Sequence, residues 1–168
     1  MPAEEQRPNR HPLDLSPEEF RRLGYRAVDL LAEHLAGLTT SPARNPVPEH
    51  LKQALLGQPV PESATDPDTI LDDVAARVLP HPMGNGSPRF FGWVNSPAAP
   101  LGAIAELLAA GMNPSVAGGD HAATCLEHAV LRWLLEVFGF PADGGALLTC
   151  GGSVANLMPN SSPAWGPV

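Results

Sequence analysis

Lysine is almost missing from this sequence. Of 168 residues only Lys52 is a lysine, and it sits in a proline-rich stretch. Chemistry that needs a lysine amine therefore has one candidate, and the simplest role for that residue is an exposed, solubilising one. Cysteine is scarce too. Cys125 and Cys150 are too few for a disulfide framework and lack the close spacing of a zinc site. Basic residues number 10 against 18 acidic ones, for a net charge of −8 with no basic cluster, which argues against nucleic acid or an anionic membrane as partner. No run reaches the roughly 18–20 apolar residues of a membrane span. The opening MPAEEQRPNRHPLDL has no apolar core of a secretory signal, so a reducing cytoplasm is the expected location. What is plentiful is proline, with 20 residues, beside 16 glycines. Much of the chain must be irregular, while a hydrophobic share of 43% fits a folded, soluble protein.

Residues 1–14 are polar and proline-rich and are expected to be disordered. A helix follows with agreeing start signals: Ser16 as cap, Pro17 at the first position and Glu19 completing a capping box. Leu15 and Phe20 are spaced for a hydrophobic staple. Phe20, Leu23, Ala27, Leu31 and Leu38 predict one apolar face, widened by Leu30 and Leu35, with Gly37 as the end point. Residues 40–67 read as an extended connector with a short helical piece at 49–56. Asp66 and Pro67 start a second helix, with Ile70, Leu71, Val74 and Val78 inward and Pro80 as stop. HPMGNGSPRFFGWVNSPAAP is a loop around an apolar knot, 90–94. Residues 101–112, apolar on nearly every side, predict a buried helix. The turn-rich SVAGGDH leads to a helix over 122–138, capped by Asp120 and closed by Gly139, with Leu126, Val130, Trp133 and Val137 in register. Ala146–Thr149 reads as a short β-strand, followed by a glycine turn and a helix start. The last ten residues, PNSSPAWGPV, hold three prolines and should not continue a helix. No internal repeat is visible.

The junction Gly151–Gly152–Ser153 has a mechanism behind it. Two glycines let backbone N–H groups approach an anion, Ser153 adds a hydroxyl, and a helix starting there adds its free N–H groups and positive dipole end. An ordinary tight turn with a helix cap explains the same triplet. His121 and His128 lie seven apart, too far along a helix to share a metal, so capping and surface roles fit them better. A Ser–His–Asp set can be assembled on paper, but no nucleophile-elbow signature accompanies it. Cys125 is expected to be a buried structural thiol. Trp93 and the Phe90–Phe91 pair serve equally as core or as pocket wall.

From Ser87 to Leu157 the sequence, SPRFFGWVNSPAAPLGAIAELLAAGMNPSVAGGDHAATCLEHAVLRWLLEVFGFP and then GGALLTCGGSVANL, resembles the group II pyridoxal-phosphate-dependent decarboxylases. This family includes aromatic-L-amino-acid, histidine, tyrosine and glutamate decarboxylases. SPEEFRRLGYRAVDLLAEHLAGL and DPDTILDDVAARVLPHPM extend the likeness over roughly residues 13–158. The resemblance implies an α/β fold-type-I enzyme, an intertwined homodimer whose N-terminal helices wrap the partner. On this basis residues 15–112 are the helical dimerisation arm with the pocket loop. Residues 113–158 begin the cofactor-binding large domain, and 159–168 are a tail outside the family pattern. The chain itself should be mostly α, with one nascent strand. Gly152 and Ser153, with Gly151 beside them, match the turn that holds the phosphate of pyridoxal 5′-phosphate. Trp93 and Val94 match positions lining the substrate side-chain pocket. Asn95 and Ser96 match positions near the cofactor and the substrate carboxylate, and Asn113 and Ser115 fall where the partner subunit completes the pocket. The family's stacking histidine, its aspartate for the pyridine nitrogen and its Schiff-base lysine have no counterpart here, and the pattern breaks at Pro159. The resemblance thus implies a truncated amino-acid decarboxylase that is inactive alone, with no catalytic residue of its own and no metal. A non-catalytic helical interaction module is the alternative.

Overall fold

A computed structural model describes residues 14–115, 121–141 and 143–161, the side chains of 159–161 excepted. It is helical: α1 spans Pro17–Gly37, α2 Glu49–Leu56, α3 Pro67–Asp73, α4 Pro100–Met112, α5 Ala122–Val137 and α6 Gly152–Ser161. The chain divides into two compact units between Ile104 and Ala105, within α4. The expectations for residues 1–13, for Asp120 and the turn at 116–120, and for 162–168 lie outside the described residues.

The start of α1 follows its local chemistry. Glu19 N–H donates to Ser16 Oγ at 3.1 Å, and Ser16 N–H donates back to Glu19 Oε2 at 2.9 Å, which satisfies two of the donors a helix start leaves free. Leu15 and Phe20 both remain exposed, so the expected staple shields little. Of the anticipated apolar face only Leu23 is buried. Phe20, Ala27 and Leu31 face outward, while Leu30, Leu35 and Leu38 are half-buried. The helix is instead turned toward α3 by charge. Arg22 grips Asp68 through both guanidinium nitrogens, at 2.8 and 2.7 Å. Arg26 donates to Asp68 Oδ1 at 2.5 Å and also to Asp72. These hydrogen bonds, Arg22 first, hold the Asp68 carboxyl down from 3.8 to about 2.

Asp66 caps α3 through the N–H groups of Asp68 and Thr69. Beyond Asp73 the helix widens into a π turn over Val74–Val78, closed by Leu79 N–H to Val74 O at 3.0 Å. Nothing in the spacing announces that turn. Leu71 and Val74 are half-buried as expected, but Ile70 and Val78 are exposed.

In the second unit α5 starts on His121, whose Nδ1 accepts from Thr124 N–H at 3.4 Å. Its end is a Schellman motif. Gly139 has φ +71, its N–H donates to Glu136 O, and Phe140 N–H reaches back to Leu135 O at 2.8 Å. Three expectations fail here. The stripe Leu126, Val130, Trp133 and Val137 is exposed, and Leu131 and Leu135 are the buried residues. Phe140 and residues 145–148 return over that other face of the helix, with Leu131, Leu134, Leu135, Phe140 and Leu147 lining one cavity of about 300 Å3. Cys125, expected inside, is exposed. So is α4, whose Leu101, Ile104, Leu107, Leu108 and Met112 all face outward. Apolar composition marks a surface to be covered and does not supply the cover.

Among the described residues there is no β-strand, and 146–149 runs without secondary structure. A parallel strand needs neighbours on its edges and layers on its faces, and a single run has neither. The nascent strand is accordingly not realised. The helical path of α6 continues through Pro159 to Ser161, contrary to the expected break. One proline removes one backbone donor, a cost of about 3 kcal/mol in a helix interior, and here it falls two residues before the last described helical residue, Ser161.

Candidate functional site

The loop between the π turn and α4 carries four of the expected pocket residues: Trp93, Val94, Asn95 and Ser96. Two consecutive turns build its first half, Ser87 N–H to Gly84 O at 2.9 Å and Phe90 N–H to Ser87 O at 3.0 Å. Gly84 has φ +97, and a Cβ there would overlap the Ala43 carbonyl oxygen. No other residue type meets both conditions without strain. Phe90 fills the middle, lying against Gly84 on one side and Gly92 on the other. The connector supports this from beneath. Asn45 Nδ2 donates to Pro80 O at 2.6 Å, His81 Nδ1 lies 3.2 Å from Asn45 O, and Arg89 donates to Ser41 O at 2.5 Å.

On this base the tip stands clear of the fold. Trp93 is 80% exposed and Val94 fully so. Trp93 has φ +57, a left-handed conformation costing a bulky residue about 1–3 kcal/mol. Residues held this way cluster at binding sites. Asn113, with φ +36, is the other non-glycine case among the described residues. Its N–H donates to Ala109 O at 2.9 Å, so it also closes α4, a place where asparagine tolerates the left-handed region. Both strained positions therefore belong to the expected pocket set. Ser115, beyond Pro114, is exposed. A cleft of about 450 Å3 runs beside the loop, lined by Val47, His81, Met83, Phe90 and Trp93 among others. Sequence reasoning found Phe90 and Trp93 but missed Asn45, His81 and Arg89, whose partners lie 35 to 48 residues away. An asparagine among prolines was the available signal.

The expected anion turn lies in the second unit. The first helical bond of α6 is Ala155 N–H to Gly151 O at 3.0 Å, which leaves the N–H groups of Gly152, Ser153 and Val154 as the free donors of the helix start. A Cβ placed on Gly151 or Gly152 would meet nothing within 4 Å, so the approach to these donors is open. Thr149 Oγ1 donates to Gly151 O at 3.2 Å and steadies the turn. Three N–H groups and the Ser153 hydroxyl are a donor set suited to a phosphate. The pocket loop and this turn belong to different compact units. Lys52 is half-exposed and paired with Glu49 at 3.3 Å. Among the described residues no group of acidic, histidine or cysteine side chains could hold a metal, and no helix is long and apolar enough to cross a membrane.

No family model matches the chain. Three of its curated relatives are decarboxylases. It is 33% identical over 147 residues to an aromatic-L-amino-acid decarboxylase of Bacillus atrophaeus, covering 86% of this chain and 31% of the relative. It is 34% identical over 148 residues to L-tyrosine/L-DOPA decarboxylase 2 of Lophophora williamsii, covering 82% and 28%. It is 32% identical over 157 residues to tyrosine decarboxylase 4 of Petroselinum crispum, covering 86% and 30%. The matched stretch spans less than a third of each relative, but it takes in most of this chain. By descent this chain belongs to the group II family of aromatic-L-amino-acid and tyrosine decarboxylases.

Proposed function

We propose that this chain is the pocket-loop and phosphate-turn portion of a pyridoxal 5′-phosphate-dependent carboxy-lyase acting on an aromatic L-amino acid. The observation that carries this reading is the 33% identity over 86% of the chain to an aromatic-L-amino-acid decarboxylase. The strained, outward Trp93 supports it. When bound, the cofactor supplies an electron sink for the pair released as carbon dioxide leaves. Gly152 and Ser153, with Gly151 shaping the turn, hold its phosphate through N–H groups and the Ser153 hydroxyl. Trp93 and Val94 line the substrate side chain, Asn95 and Ser96 orient its carboxylate, and Asn113 and Ser115 complete the pocket of a partner subunit. In this reading α1 pairs the subunits of a homodimer in the cytoplasm, within an enzyme of α/β fold type I.

The chain by itself is proposed to be inactive. A lysine serves covalent cofactor chemistry when burial keeps its amine partly neutral, and Lys52 is half-exposed beside a carboxylate. A second reading, a non-catalytic helical interaction module, is favoured by the uncovered Leu126–Val130–Trp133–Val137 stripe. The test is to add pyridoxal 5′-phosphate to the isotope-labelled chain and follow its amide resonances. Borohydride trapping of any lysine adduct and carbon dioxide release from L-tyrosine are measured in parallel. Shifts centred on Gly152 and Ser153, without carbon dioxide, are expected. No shift there sinks the phosphate turn. Stoichiometric trapping at Lys52 together with carbon dioxide release sinks the proposed inactivity.

A further inference from the structure

We propose that Asn85 is a positioning residue that closes the pocket loop and so fixes where Trp93 and Val94 stand. Among the described residues, no N–H group from 91 to 99 makes a backbone–backbone hydrogen bond. Pro97 has no N–H to give, and a residue before proline is steered away from the helical region, which disfavours a tight turn at Ser96. The segment bearing four of the expected pocket residues is thus held by side chains. The strongest of these ties is Asn85 Nδ2 to Ser96 O at 2.9 Å, between residues eleven apart. Asn95 Nδ2 at 4.0 Å from Met83 Sδ is a weak second, since a thioether accepts poorly.

With its ends joined by Asn85 and its middle filled by Phe90 between Gly84 and Gly92, the segment has the form of an Ω-loop. Such loops have close ends, pack on their own side chains and are commonly functional. Closure is what makes the left-handed Trp93 tenable. A strained backbone persists only where its surroundings over-determine it, and releasing Ser96 removes the constraint on one side. The choice of asparagine follows from the partner. Ser96 O needs a donor, and a short amide supplies one that an aspartate of equal size does not.

The functional meaning rests on Trp93–Ser96 being pocket positions, but the test reads loop order alone. Replacing Trp133 and Trp165 with phenylalanine leaves Trp93 as the one tryptophan, and its time-resolved anisotropy reports local motion. Asn85→Ala and Asn85→Asp are each expected to raise the fast, nanosecond amplitude about twofold or more, with unchanged far-ultraviolet circular dichroism. Asn85→Gln, which keeps the donor, should restore at least about half of the lost order. Wild-type anisotropy in Asn85→Asp overturns the proposal, because size and not donation would then matter. A parallel loss of helicity overturns it as well, since Asn85 would be holding the fold rather than the loop. Loss of cofactor-induced shifts at Gly152 bears on the proposed function and leaves this inference standing.

Discussion

The two compact units keep their form by different means. Before Ile104, directional ties cross long stretches of sequence: Arg22 and Arg26 to Asp68, Asn45 to Pro80, Arg89 to Ser41. Beyond it, the side-chain bonds of Thr124 and Thr149 reach no further than three residues, and the buried centre is Leu131 and Leu135. One unit is tied by polar groups around a loop it must hold open. The other is a helix half-covered by its own return segment. Polar ties can shape an exposed loop because they act at a point, whereas apolar burial stabilises only what it covers.

Removing the apolar centre should therefore do the most damage. Leu135→Ala is expected to destabilise the second unit by about 2–4 kcal/mol, read as faster amide exchange along α5. Leu126→Ala, on the exposed stripe, should stay within about 0.5 kcal/mol. Equal effects from the two would mean that the exposed stripe is covered in solution. In the first unit, Gly84→Ala meets both an unfavourable φ and the Ala43 carbonyl, and a cost of about 2 kcal/mol is expected. The change should appear in the amides of 84–90 and leave α5 untouched.

The smallest effect is the most diagnostic of charge. The Asp68 carboxyl titrates at about 2 when folded against 3.8 as an ordinary aspartate. Its contribution is present above that ordinary value and is lost as pH falls toward the folded one. Asp68→Asn should thus loosen α3 at pH 5 and approach the wild type only as the pH falls through the folded value of about 2, with amide exchange in α3 as the measure. High salt should narrow the difference at pH 5, since the group is only partly shielded. A difference that is constant with pH would assign the α1–α3 contact to packing.

Local chemistry was legible in the sequence. Ser16 with Glu19, Asp66 with Pro67, and Gly139 each mark a helix end through groups within a few residues, and the structure uses all of them. The bounds of α2 and α4 follow for the same reason. Burial was not legible, because it depends on what else is present. Apolar spacing in α5 pointed to the Leu126–Val130–Trp133–Val137 face, and the segment that covers the other face lies after the helix. The strand at 146–149 and the buried α4 were expectations about neighbours, and the described residues provide none. The pocket loop stood between these cases. Its glycines and prolines announced a loop, yet the ties of Asn45 and Arg89 depend on chain reversals that no local pattern encodes. That Trp93 would be left-handed was likewise beyond sequence, since conformation there is imposed from outside the residue.

The π turn at Val74–Val78 has a consequence for chain length. It accommodates one residue more than an α-helical turn does, so the extra residue is taken up within a single wide turn, whereas each residue added to a regular α-helix swings the chain by about 100°. Deleting one residue from this turn would leave α3 as an unbroken helix and shorten the protein negligibly. The Pro80 carbonyl, which receives the Asn45 amide, would keep roughly its heading, and the pocket loop with it. A one-residue gap in this stretch is thus absorbed inside one turn, and sequences that differ here by one residue will aim their loops alike.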